Sequence, residues 1–196
     1  MIHFMVDMPF HFMAADVLQD ACEWDAPPSM PMFTPNTKCL RGSMSATSDH
    51  LCDEPVERTL FVGAPVEILA MSFTEPSRMA EWMGDDTMPV SVEHDGRAGG
   101  LIVVRGRQHG AFENRGRIVR WDPPRRFSWT HLSTLSNLPD EPASYTTLDF
   151  ALEPARGGTM LSFTMRGFPT LVVRKHLVLY WGVTLDVIRR HAEACA

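Results

Sequence analysis

Hydrophobic and polar positions alternate along most of the chain between residues 56 and 166. Val56 to Val62 puts Val56, Leu60 and Val62 on one parity and predicts a strand. Pro65 to Ser72 predicts a short helix opened by its proline, and Thr74-Glu75-Pro76 repeats the device for a second helix running to Met83. Gly84 ends that helix. Strands follow over Val90 to His94 and Leu101 to Arg107, joined by the turn Asp95-Gly96-Arg97-Ala98-Gly99-Gly100. A second turn at Gln108-His109-Gly110 leads into a long strand, Ala111 to Trp121. Asp122-Pro123-Pro124-Arg125 closes it, since proline has no N–H for a ladder. Arg126 to Leu132 places Phe127, Trp129 and His131 on one face. After a polar loop over Ser133 to Ala143, Tyr145 to Leu152 does the same for Leu148, Phe150 and Leu152. The turn Ala155-Arg156-Gly157-Gly158 then leads to Thr159 to Arg166, with Leu161, Phe163 and Met165 in phase.

The period changes after Gly167-Phe168-Pro169. Leu177, Trp181, Leu185, Ile188 and Ala192 form one apolar stripe on a helix of about twenty-five residues. Arg189, Arg190 and His191 lie near its C-terminus, where positive charge is favourable. Gly182 costs roughly 1 kcal/mol inside a helix, and close packing on the sheet is the expected compensation. The order is β-α-α-β-β-β-β-β-β-α, an α+β arrangement of one antiparallel sheet and one long helix to cover it.

Residues 1–52 do not share this patterning. Their apolar residues follow neither period cleanly, and Pro27, Pro28, Pro31 and Pro35 interrupt any regular element beyond a weak helical turn over Asp16 to Trp24. They hold seven of the thirteen methionines and a net charge of −4, against −2 for residues 53–196. We read 1–52 as a poorly ordered extension, with the natural start expected at Met44, and 53–196 as the folded domain. The whole chain of 196 residues carries −6, which argues against a general nucleic-acid binder. No apolar run reaches the ~18 residues that span a bilayer. The first basic residue is Lys38, so no secretory signal is expected. Cys22, Cys39, Cys52 and Cys195 have no framework spacing and read as reduced thiols of a cytoplasmic protein. His50 and Cys52 alone fall short of the four ligands of a zinc site, so no metal and no cofactor are expected. The preference for arginine over lysine points to a GC-rich bacterial genome.

Several stretches, in their joint order and spacing, carry a family resemblance over residues 56–194. They are Val56-Glu57-Arg58 with Ala64-Pro65-Val66-Glu67, and Ser72-Phe73-Thr74-Glu75-Pro76 with Glu81-Trp82-Met83-Gly84. The turn from Asp95 to Gly100 follows, then Gly116-Arg117-Ile118 with Asp122 to Phe127. Leu152-Glu153-Pro154 with Gly157-Gly158-Thr159, Gly167-Phe168-Pro169, and Trp181-Gly182 with Leu185 complete the set. The chain resembles the SRPBCC (START-like) superfamily of helix-grip folds, and within it the homologues of the activator of heat-shock-protein-90 ATPase. The resemblance implies a curved antiparallel sheet of about seven strands wrapped on the C-terminal helix, with a cleft between them for an apolar or amphipathic small molecule. Three positions depart from the family pattern: Glu75 for aspartate, Met83 for tryptophan and Met165 for histidine. The last two make the implied cleft softer and more apolar.

By facing parity, the residues expected to line that cleft are Trp82, Phe112, Trp129, His131, Phe150, Phe163, Met165, Phe168 and Trp181. Any one of them reads first as core filling, and the case rests on their number. His131 can bond a ligand or act as acid or base, or simply bond to backbone at the sheet end. Arg120 either enters the cleft or is turned outward by a bulge. Arg115 and Arg117 should face outward, as a solvated face or a docking surface for an acidic protein. Asp85-Asp86 reads as a solvated loop, and no nucleophile motif is present. The leading expectation is a ligand-binding module without evident catalytic machinery. The alternatives are a chaperone-type partner module and a cyclase- or hydrolase-like enzyme using His131 or Arg120 in the same cleft.

Overall fold

The structure, a computed structural model, describes residues 52–107 and 110–196. The expected extension as far as Leu51, the start at Met44, the turn over Asp16 to Trp24, and His50, Gln108 and His109 lie outside the described residues. The elements are β1 (Val56–Val62), α1 (Val66–Thr74), α2 (Pro76–Met83), β2 (Val90–His94), β3 (Leu101–Arg107), β4 (Ala111–Asp122), β5 (Arg126–Ser133), β6 (Thr146–Ala155), β7 (Gly158–Arg166) and α3 (Leu171–Ala194). The polar loop after β5 contains two short 3-10 turns, Thr134–Ser136 and Pro142–Ser144.

All seven strands form one antiparallel sheet in the order β1-β7-β6-β5-β4-β3-β2. The architecture is the α+β helix-grip arrangement. β1 crosses to the far edge beside β7, and α1 and α2 occupy the crossover, so both short helices lie on the face that α3 also covers. α3 packs closest to β1, α1 and α2.

Each helix begins where a proline or hydroxyl permits. Pro65 caps α1 from just outside it, and Pro76 is the first residue of α2, where its missing N–H costs nothing. Glu75, at the start of α2, holds Arg78 at 2.9 Å. Gly84 ends α2 in extended rather than left-handed backbone. Its glycine is needed for a close approach, since a Cβ there would lie 2.7 Å from the Met88 carbonyl oxygen. Asp85 is more than a solvated residue: one carboxylate oxygen accepts from Thr87 N, Thr87 Oγ1 and Met88 N, and these bonds hold its pKa below the usual carboxylate range. Thr170 caps α3 by accepting from Val173 N. At the other end of α3, Glu193 accepts from Gly63 N at 2.9 Å, and His191 meets Glu81 of α2 at 2.8 Å.

The turn between β2 and β3 uses Gly96 and Gly99 at φ of 60° and 80°, which only glycine adopts without strain. Asp95 accepts from Leu101 N across it. A register shift between Ile118 and Arg120 interrupts the pairing of β4 with β5. It turns Arg120 to the outer face, where it meets Asp122. Gly182 departs from expectation: it faces solvent, and a Cβ there would meet no atom within 4 Å. Packing therefore does not compensate its helix cost.

Candidate functional site

The inner face of the sheet follows from alternation and register. Phe127, Trp129 and His131 of β5 stand beside Phe150, Leu148 and Thr146 of β6, and Phe150 and Leu148 beside Phe163 and Met165 of β7. α3 lays Leu177, Trp181, Leu185, Ile188 and Ala192 over this face, all buried. The result is an aromatic wall centred on Phe150. Its ring lies 4.8 Å from Trp129, 4.7 Å from Phe163, 4.9 Å from Phe73 and 5.5 Å from Trp181. Trp181 also lies 4.7 Å from Phe163 and 6.3 Å from Trp82. Contacts at these distances contribute beyond their area burial, by about 0.5–1.5 kcal/mol per pair.

Of the nine residues expected to line the cleft, Trp82, Trp129, Phe150, Phe163, Met165, Phe168 and Trp181 are buried. Trp82 spends its indole N–H on the Ser72 carbonyl oxygen at 2.8 Å. Phe112 stands apart: it is half-buried near the start of β4, its ring over Gly106 of β3. His131 sits beyond Trp129 on the inner face, with Thr146 as its partner on β6. Arg115 and Arg117 lie on the outer face. Arg115 is held by Glu113 and Asp140, each at 2.9 Å, and Arg117 reaches the Gly99 carbonyl oxygen.

The two ends of the wall differ. Toward the start of β5, Phe73 of α1 stacks on Phe127 at 5.3 Å, and the buried Ser72 and Ser128 hydroxyls have no hydrogen-bond partner among the described residues. Toward the end of β5, polar groups collect. His131 is pushed down to about 4, first by burial and then by the nearby His176. It is neutral at pH 7, with one nitrogen to donate and one to accept. Burial lowers His176 as well, and His176 stacks on Tyr180 with centroids 6.4 Å apart. Burial raises the Tyr180 phenol. Thr146 Oγ1, Arg174 Nε and, nearer the middle of the wall, Trp181 Nε1 are each buried without a hydrogen-bond partner among the described residues. Arg174 places its guanidinium 5.6 Å from the centre of the Phe168 ring.

Sequence reasoning missed Phe73, Thr146, Arg174, His176 and Tyr180. A signal existed for three of them. Phe73 follows Leu69 by four residues, and Thr146 is in phase with Leu148 and Phe150. Arg174 precedes Leu177 by three and Trp181 by seven, so it continues the apolar stripe. Among the described residues, no group of three His, Cys, Asp or Glu side chains could hold a metal ion. The arrangement sets apolar rings beside the polar groups of His131, Thr146 and Arg174. A histidine titrating near 4 is poorly matched to proton transfer at neutral pH.

A family model described as "Activator of Hsp90 ATPase homolog 1-like protein" matches residues 64–193. No curated protein matches the chain. Among solved structures, the chain is similar to protein CV1439 from Chromobacterium violaceum, with 22% identity and a TM-score of 0.62 over 71% of this chain and 96% of that one. ChR145 from Cytophaga hutchinsonii shares 23% identity at a TM-score of 0.61, over 73% of this chain and 96% of that one. The Aha1 dimer from Colwellia psychrerythraea, solved in solution, shares 18% identity at a TM-score of 0.56, over 71% and 96%. At these identities the likeness concerns the fold.

Proposed function

The chain belongs to the family of activator of Hsp90 ATPase homolog 1-like proteins, and from its geometry we propose that it binds a small apolar or amphipathic molecule between the sheet and α3. One observation carries this reading. Trp181 Nε1 on the helix and Thr146 Oγ1 on the sheet are buried beside an aromatic wall with no hydrogen-bond partner among the described residues. An unsatisfied buried polar group costs about 1–3 kcal/mol, and such groups are rare in folded proteins. A ligand with an acceptor for the indole N–H and a partner for the hydroxyl would recover that cost. The residues proposed to line the site are Trp82, Trp129, His131, Phe150, Phe163, Met165, Phe168 and Trp181, joined by Thr146, with Phe112 set apart from them over Gly106.

Two other readings have less support. Docking of an acidic partner on Arg115 and Arg117 meets the fact that Glu113 and Asp140 already neutralise Arg115. An enzyme working through His131 or Arg120 loses Arg120 to the outer face and finds no acid paired with His131 among the described residues. Among the described residues no helix is long and apolar enough to cross a membrane. A location in the bacterial cytoplasm belongs to the same proposal.

Native mass spectrometry joined to a thermal-shift screen of apolar and amphipathic compounds tests it. A ligand present at a hundred times its Kd should add about 2.7 kcal/mol, or about 8 °C in Tm for a domain of this size. No adduct and no shift across the screen would remove the reading.

A further inference from the structure

Arg174 is the one arginine on the phase of the buried stripe of α3, at the position where Leu177, Trp181, Leu185 and Ile188 would lead a reader to expect another apolar residue. Its surroundings set it apart from the ion-paired arginines of the domain. Arg78, Arg105, Arg115, Arg120, Arg166, Arg189 and Arg190 each meet a carboxylate. Arg174 meets none among the described residues. It is half-buried, its Nε is shielded from solvent without an acceptor, and its guanidinium rests on the Phe168 ring.

The topology places it at the polar end of the wall. Phe168 lies two residues beyond the end of β7, where Arg166 pairs with Thr147 of β6. The neighbouring residue, Thr146, pairs with His131 of β5. Gly167 lies against the Tyr145 carbonyl, 3.7 Å from where a Cβ would stand. The chain then turns into α3 and brings Arg174 back over this corner. Arg174, through Phe168, therefore lies toward the same end of the inner face as Thr146 and His131, which pair with each other on β6 and β5.

We propose that Arg174 anchors a carboxylate at the end of an otherwise apolar ligand, the ligand's body lying against the aromatic wall. This rests on the ligand-binding reading above and names the class of molecule. A buried Nε without an acceptor is costly, and a carboxylate is the best-matched planar partner of a guanidinium. The contact with the Phe168 ring, 5.6 Å from its centre, holds the guanidinium beside an aromatic face. The described inner face offers no second cation: His131 is neutral and Lys175 is exposed. A single negative charge is thus favoured over a dianionic phosphate. Thr146 Oγ1 and His131 stand ready to donate to the second carboxylate oxygen.

The test compares acids with their alcohols at constant body. Dissociation constants for phenylacetate and 2-phenylethanol, and for dodecanoate and 1-dodecanol, are measured by isothermal titration calorimetry on the full chain, the variant Arg174→Met and the variant Arg174→Lys. At least one acid should bind at least tenfold more tightly than its alcohol. Arg174→Met should erase that advantage while leaving the alcohol within about twofold, and Arg174→Lys should keep most of it. Circular dichroism melts of both variants establish that they are folded. If acid and alcohol bind alike and Arg174→Met moves neither, the anchoring role is wrong while the cleft stands. If no member of either pair binds, the cleft reading falls and the anchor with it.

Discussion

Removing the imidazole of His131 should make the domain's stability less sensitive to acid. Burial and the nearby His176 hold this group near 4 in the folded chain, against 6.5 for an ordinary histidine. A depressed folded value means that the unfolded chain takes up a proton first as pH falls. The stabilising contribution is complete above pH 6.5, is lost between 6.5 and 4, and changes no further below that. The full shift corresponds to roughly 3 kcal/mol, of which about 1.4 is lost by pH 5.5 and about 2.5 by pH 4.5. Against a total stability of about 5–15 kcal/mol this is a large fraction. Urea unfolding of the parent and of His131→Gln at pH 7.5, 5.5 and 4.5 measures it. Glutamine keeps a polar group beside Thr146 but does not titrate. The parent's stability relative to the variant should fall by about 2.5 kcal/mol from pH 7.5 to 4.5. His94 and His176, both lowered by burial, remain in the variant and largely cancel in the comparison. A parent–variant difference that stays constant across the range, or an NMR titration placing His131 near 6.5, would refute the reasoning.

Gly182→Ala should stabilise the domain by about 1 kcal/mol and raise its Tm by about 3 °C in a calorimetric scan, because the site is solvent-facing and a Cβ meets nothing. Gly116→Ala should do the opposite and largely prevent folding, read as lost cooperative melting, since its Cβ would collide with the Thr130 carbonyl on the paired strand. Trp82→Phe should cost about 1–3 kcal/mol in urea unfolding by leaving the buried Ser72 carbonyl without its donor. Phe150→Ala, which removes the centre of the aromatic wall, should cost about 3–5 kcal/mol by the same measurement.

The fold was legible because it is written in periodicity. The stripe Leu177, Trp181, Leu185, Ile188 and Ala192 is the buried face of α3, and β1, β2 and β3 begin and end where alternation and turn residues place them. Local features that depend on a second strand or on what lies opposite were not legible. The bulge at Ile118 to Arg120 exists only in the pairing of β4 with β5, and both readings of Arg120 were open until that pairing was known. Gly182 is equally silent about what it faces, because a glycine has no side chain whose polarity would report it. The polar end of the proposed site was hidden for a different reason. Residue type assigns arginine, threonine and histidine to the outside, whereas phase assigns them to the inside. Thr146 precedes Leu148, Phe150 and Leu152 on their own parity, His131 follows Phe127 and Trp129, and Arg174 leads the stripe of α3. In each case the polar residue is the terminal member of an apolar series, and all three series end at the same corner of the sheet. Were these residues only marking the boundary of the core, their polar atoms would reach solvent. Instead Thr146 Oγ1 and Arg174 Nε are buried and unpartnered. A boundary residue has no need of that cost, whereas a residue that receives a ligand's polar end recovers it on binding.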